Sequence, residues 1–237
     1  MQRHLWVCSF LAAAILAGPV RAGITIGAGP VIGTNKNSNV PYTGGGVWYQ
    51  EFQDWTALDL RGLDANDDHY KFNDANDPSR DLVAVYARDD GTNVFFRADF
   101  FNLGFNVEQT DLNLYLAIDC AAGGNATLPD EVDTATDHPW EVCLGIYDSL
   151  YFSVYVNGST NQPGAYLGSY WRSDLDGVEF GLRRSLLLAR GWDGTAPLHL
   201  QFYTVRDNTG GGPGEIAGGS DLVDAVGAVI VRDHSGG

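Results

Sequence analysis

The sequence predicts an all-β fold, an antiparallel β-sandwich with one short helix, on three observations. Short runs rich in Val, Tyr, Phe and Leu recur along the chain. Gly, Asn, Asp and Pro separate them, which is how strands and turns alternate in such folds. Only one segment, "RRSLLLARGW" at 183–192, joins helix formers to a glycine stop. Strands at this density, without helices between them, exclude a βαβ arrangement.

The elements follow in chain order. Arg3 and His4 open a basic leader, "LWVCSFLAAAILAG" is an apolar run of 14 residues, and "PVRA" ends in small side chains. That is the pattern of a secretory signal peptide over 1–22, cut after Ala22. No second apolar run is long enough to span a bilayer, so the mature chain is expected off the membrane. Residues 23–46 are rich in Gly, Asn and Thr and read as an extended lead-in to a single domain over 47–237. The strand candidates are "GVWYQEF", "LVAVYAR", "NVFFRADFF", "LNLYLAID", "EVCLGIYD", "YFSVYVN", "AYLGSYW", "GVEFGL", "LHLQFYTVRD" and "AVGAVIV". "ARDDGTNVFF" carries a turn signal between two of them, so 82–102 is expected to form a hairpin. "YFSVYVN" and "LHLQFYT" alternate apolar with polar residues, as a strand with one wet face does. The helix falls between "GVEFGL" and "LHLQFYT", and "DNTGGGPGEIAGGSD" is a glycine-rich loop.

After removal of the leader, 12 basic residues face 30 acidic ones, a net charge near −18. Such a surface repels nucleic acid and anionic membrane and attracts cations. Cys120 and Cys143 are the only cysteines of the mature chain. An even count in an exported chain predicts a disulfide between them.

Motifs for familiar chemistry are missing. The chain has no Gly-x-Ser-x-Gly, no phosphate loop with a lysine and no His-Glu-x-x-His. His69, His138, His199 and His234 stand isolated in sequence and read as surface or packed residues. Glu51 and Glu141 are the acids with obvious aromatic neighbours, but a strand position facing outward explains both. The unusual stretch is "DANDDHYKFNDANDPSRD", residues 64–81, in which nine of 18 residues are Asp or Asn. Asp64, Asn66 and Asp68 have the opening spacing of an EF-hand, yet His69 stands where Gly is needed and Ala75 where Glu is needed. A solvated turn and a Ca²⁺ site remain the two readings. For the second, the candidate ligands are Asp64, Asn66, Asp68, Asp74, Asn76 and Asp77.

Four stretches carry a family resemblance: "DWTALDLRGLDANDDHYKFNDANDPSRDLVAVYARDDGTNVFFRADFFNLG", "LNLYLAIDC", "GVEFGLRRSLLLARGW" and "LHLQFYTVRD" with "IAGGSDLVDAV". They resemble the accessory β-sandwich module of glucodextranase and amylopullulanase-type glycoside hydrolases, across about residues 47–231. The resemblance implies a DOMON-like, jelly-roll-like sandwich, a role in carbohydrate or cell-wall attachment, and bound Ca²⁺. Haem, found in related sandwiches, is not expected, because the sole methionine is Met1 in the leader.

The expectation is therefore a secreted, extracellular or periplasmic, non-catalytic module for a polysaccharide such as an α-glucan. The alternatives are a structural or cell-surface interaction module, and the N-terminal accessory region of a glycoside hydrolase. Sugar rings stack on flat aromatic faces while Asp, Asn and Gln hold their hydroxyls. Tyr166, Tyr170 and Trp171 in "AYLGSYWRSD", Trp140 in "HPWE" and Trp192 in "RGWDG" lie beside turn or polar residues and are the candidate platforms.

Overall fold

The computed structural model describes residues 24–26, 55–69, 77–103, 112–129, 135–147, 152–156, 162–172, 175–206 and 221–226 of the chain. The leader, most of the lead-in, "GVWYQEF" with Glu51, and the bulk of the glycine-rich loop lie outside these residues, as do Asp74, Asn76 and His234.

The fold is an antiparallel sandwich, as the strand pattern predicts. Its first sheet holds β12 (Leu198–Arg206) and β5 (Leu112–Asp119) side by side, continued by β8 (Val142–Ile146) and β9 (Phe152–Val156). The other edge of β12 is shared by β1 (Ile24–Ile26) and β13 (Asp221–Val226). The second sheet runs β10 (Tyr166–Arg172), β11 (Gly177–Arg183), β4 (Asn93–Phe100), β3 (Leu82–Asp89), β2 (Leu60–Leu63). A small ribbon, β6 (Asn125–Thr127) with β7 (Ala135–Trp140), lies beside β5. The expected hairpin is β3–β4, and the helix is α1 (Arg184–Ala189).

Alternation decides which residues enter the core. Val94, Phe96 and Ala98 of β4, Val178, Phe180 and Leu182 of β11, and Leu198, Leu200 and Phe202 of β12 are 0–1 % exposed and pack in one cluster. Phe96 and Phe180 are cross-strand partners with ring centroids 5.4 Å apart. Phe202 reaches them from the other sheet, 6.4 Å from each ring and nearly edge-on. Such edge-to-face packing adds about 0.5–1.5 kcal/mol per pair beyond area burial.

The first sheet also buries its outer face. Tyr115, Ala117, Cys143, Tyr203 and Val205 form a second cluster there, covered by Leu128 and Trp140 from the ribbon and by Leu222. This cluster explains why β5 reads as an almost unbroken apolar run rather than as an alternating one.

The expected disulfide is absent: Cys120 and Cys143 are both buried free thiols. Strand parity is the reason. Cys143 lies opposite Ala117 on β5 and joins the outer cluster. Cys120 is three residues beyond Ala117 and joins the inter-sheet core. An odd offset along a pleated strand puts the two side chains on opposite faces. Burial, and then the nearby Glu141 carboxylate, push the Cys120 thiol up to about 12. Iodoacetamide at neutral pH is therefore expected to leave Cys120 and Cys143 unmodified in the native chain. Both should label in guanidinium without reductant, as read by peptide mass mapping; a Cys120–Cys143 bridged peptide would contradict the parity argument.

Candidate functional site

The face least explained by folding is the outer face of the five-stranded sheet. Register lines up Tyr170, Glu179, Arg97 and Tyr86 in one row across β10, β11, β4 and β3. Asp99 lies two residues along β4 on the same side. Arg97 grips it with a fork, Nε donating to Oδ1 at 2.6 Å and the terminal nitrogen to Oδ2 at 2.9 Å. The Arg97 guanidinium also lies 4.9 Å from the centre of the Tyr86 ring. Burial first, and then the Asp99 charge, raise the Tyr86 hydroxyl above its ordinary range. Asp99 is raised too, by burial, against the opposing pull of Arg97.

Trp55 enters this face from the segment before β2. Thr56 and Asp59 build the turn that carries it: both the backbone N–H and the hydroxyl of Thr56 donate to Asp59 Oδ2, at 2.9 and 3.0 Å. Asp59 N–H closes the turn on the Thr56 carbonyl at 2.9 Å. Trp55 donates its indole N–H to Glu179. Its ring is tilted against Tyr86 at 5.9 Å and lies under the Arg88 guanidinium at 4.6 Å. Arg88 and Glu179 are buried, whereas Trp55, Tyr86, Arg97 and Tyr170 are half-buried. The result is a face of rings, guanidinium forks and carboxylates whose orientations are set by one another. It can offer flat apolar surface and paired polar groups to a ligand rich in hydroxyls.

A second assembly forms where the acidic loop meets the sheet edge. The ligand oxygens of Asp64, Asp68 and Asp224 lie within 4.8 Å of one another. Asp224 is on β13, and its Oδ2 accepts the Leu82 N–H at 2.7 Å, fixing the start of β3. Asp81 stands beside them, 0 % exposed, with Oδ2 accepting the Asp67 N–H at 2.8 Å. Its Oδ1 takes no hydrogen bond and lies 3.4 Å from Nδ1 of the buried His69. Asp64 Oδ2 is likewise buried with no hydrogen bond. Asp67 sits at φ 68°, the left-handed conformation that Asp tolerates in turns. Burial, reinforced by the neighbouring charges, raises Asp64 to about 6 and Asp224 to about 8. Carboxylates taken out of water beside one another favour a proton or a cation. The donor chemistry, all oxygen and all hard, suits Ca²⁺.

Of the described loop residues singled out from the sequence, Asp64 and Asp68 join this group. Asn66 is exposed, Asp77 begins a short 3-10 turn over Asp77–Arg80, and Asp74 and Asn76 lie outside the described residues. Asp224 completes the group and, like the neighbouring Asp81, was not foreseen. Asp81 closes the quoted loop and reads as a turn residue. Asp224 arrives from a strand that forms four residues earlier than "AVGAVIV" suggests.

The aromatic platforms need correction as well. Trp140 is 3 % exposed and donates its N–H to the Thr127 carbonyl at 2.9 Å. Trp192 is 6 % exposed, donates to the Ala196 carbonyl at 2.8 Å, and is covered by the Arg184 guanidinium. Rings so buried have no face for a sugar. Trp171 is half-buried against the inter-sheet core and stacked 6.1 Å from Phe100. Tyr166 packs on Phe152 at 4.2 Å. Only Tyr170 lies in the outer row. Glu141 is buried and structural: its Oε2 accepts the N–H groups of Cys120 and Ala121 at 2.9 and 3.1 Å, holding the chain as it leaves β5.

Replacing Trp140 or Trp192 with alanine is expected to cost about 3–5 kcal/mol in urea unfolding, as for buried aromatics elsewhere. Tyr170→Ala, at a half-buried position, should cost clearly less than either. No protein-family model matches the chain, and no curated protein matches it.

Proposed function

We propose that this chain is a secreted, non-catalytic carbohydrate-binding module that takes a polysaccharide, an α-glucan first among them, on the outer face of its five-stranded sheet. The observation that supports this is the row of Tyr170, Glu179, Arg97 and Tyr86, with Trp55 beside it. Polysaccharide recognition needs apolar rings for the C–H faces of a sugar and fixed donors and acceptors for its hydroxyls. Carboxylates here are committed to neighbours, Asp99 to Arg97 and Glu179 to Trp55, which suits orienting hydroxyls rather than transferring protons. The resemblance to the glucodextranase accessory module points the same way.

The proposal includes Ca²⁺ held by Asp64, Asp68 and Asp224 as a brace between the acidic loop, β3 and β13. Asp81, with its buried oxygen, adds its charge beside Asp64. A bound cation would cancel the repulsion among these groups and tie the two sheets at one edge.

Two measurements test this reading. On glucan affinity gels, Tyr86→Ala and Trp55→Ala should each weaken retention by tenfold or more, which corresponds to about 1.4 kcal/mol. Retention unchanged in both variants, or no retention of the parent chain by any glycan on an array, would leave the structural or cell-surface role in its place. Retention accompanied by glycan cleavage would favour the hydrolase-accessory reading. Separately, EDTA should lower the melting temperature and Ca²⁺ restore it, with about 2.7 kcal/mol of stabilisation at a hundredfold excess over Kd. Asp224→Asn should abolish the response; a melting temperature blind to Ca²⁺ returns the loop to a solvated turn.

A further inference from the structure

We propose a second metal site of different chemistry, formed by Asp119, His138 and His199, for a first-row divalent transition ion of the Zn²⁺ or Co²⁺ type. The sequence separates these residues, but the fold converges them. Asp119 ends β5 and is the cross-strand partner of His199 on β12. Their neighbours Ile118, Leu198 and Leu200 point into the sandwich, so both side chains emerge on the outer face. His138 comes from β7, which crosses over that face.

One buried side chain fixes His138 in place. Gln201, 0 % exposed and two residues beyond His199, accepts the N–H groups of Asp137 and His138 at 2.9 and 3.2 Å. It returns its own N–H to the His138 carbonyl at 2.9 Å, and the Tyr203 hydroxyl holds its oxygen at 3.0 Å. The two imidazoles are thereby stacked 4.3 Å apart, 25° from parallel, with His138 Nδ1 3.4 Å from Asp119 Oδ2. The ligand atoms of all three residues lie within 4.8 Å of one another.

Two imidazole nitrogens and one carboxylate oxygen form a donor set for borderline ions, unlike the all-oxygen cluster at the acidic loop. Burial, and then His138, lower the affinity of His199 for a proton. All three residues are half-buried, so an ion they hold keeps its remaining positions open to water or to an outside ligand. Three protein ligands with an open position is the arrangement of reactive zinc centres rather than of closed structural ones.

The test is a titration of the metal-stripped full chain with Zn²⁺, followed by calorimetry, and with Co²⁺, followed by its visible absorption. Excess Ca²⁺ should be present throughout to fill any all-oxygen site. The parent chain should take one equivalent with an imidazole-type Co²⁺ spectrum. His199→Ala and the milder Asp119→Asn should weaken binding by more than the roughly 10–100-fold that loss of a supporting group costs. Both variants should keep the parent's circular dichroism. Absence of stoichiometric Zn²⁺ binding would overturn the site, as would equal affinity in the parent and in a folded Asp119→Asn chain.

Discussion

The contact of Phe202 with Phe96 and Phe180 closes the sandwich, and the placement of the polar residues on both sheet faces follows from it. Two facing sheets can share those rings only if β4, β11 and β12 each commit one parity of side chains to the interior. The other parity is then displayed outward by default. Glu179, Arg97 and Tyr86 owe their common row to the residues beside them that point in. His199 and Gln201 owe their outward direction to Leu200 and Phe202. The candidate sites on the two sheet faces are therefore built on the backs of core strands.

The two outer faces use that freedom differently. On the five-stranded sheet, polar side chains interlock directly with half-buried rings, so each group's direction depends on its neighbours. On the other sheet an apolar cluster is roofed by the β6–β7 ribbon, and Gln201 pins the roof by its backbone. The acidic group belongs to neither face. It gathers at an edge, where β13, the start of β3 and the loop after β2 meet.

Much of the fold was legible because period-2 alternation and turn residues are local signals. The β3–β4 hairpin came straight from them, and α1 from a run of helix formers ending in glycine. β7 was not legible, since "ATDHPW" carries Pro139 and His138 and reads as a turn. It is a strand because Gln201 and the Trp140 N–H hold it from outside the segment. Trp140 and Trp192 misled for a related reason: a tryptophan beside turn residues can bury its ring if a backbone carbonyl takes its N–H, as those of Thr127 and Ala196 do here. The two cysteines depended on strand register, which spacing alone does not reveal. The candidate sites depended on it more. Asp64 and Asp68 stood out in the loop, but Asp224 and the partners of Tyr170 come from distant strands.

Strand order also bears on how the chain reaches this state. β5 pairs with β12 and β4 pairs with β11, each across a long stretch of intervening sequence. Neither sheet can acquire its middle until the last third of the polypeptide is present. Folds dominated by such distant pairings form slowly, on the millisecond to second scale, because loop closure precedes the reward of contact. While it waits, the apolar edge of β5 is a template for a wrong partner. Assembly of this molecule is thus a race between its own C-terminal strands and a neighbour's, and a synthesis interrupted before β12 leaves a fragment prepared for aggregation rather than a smaller version of the fold.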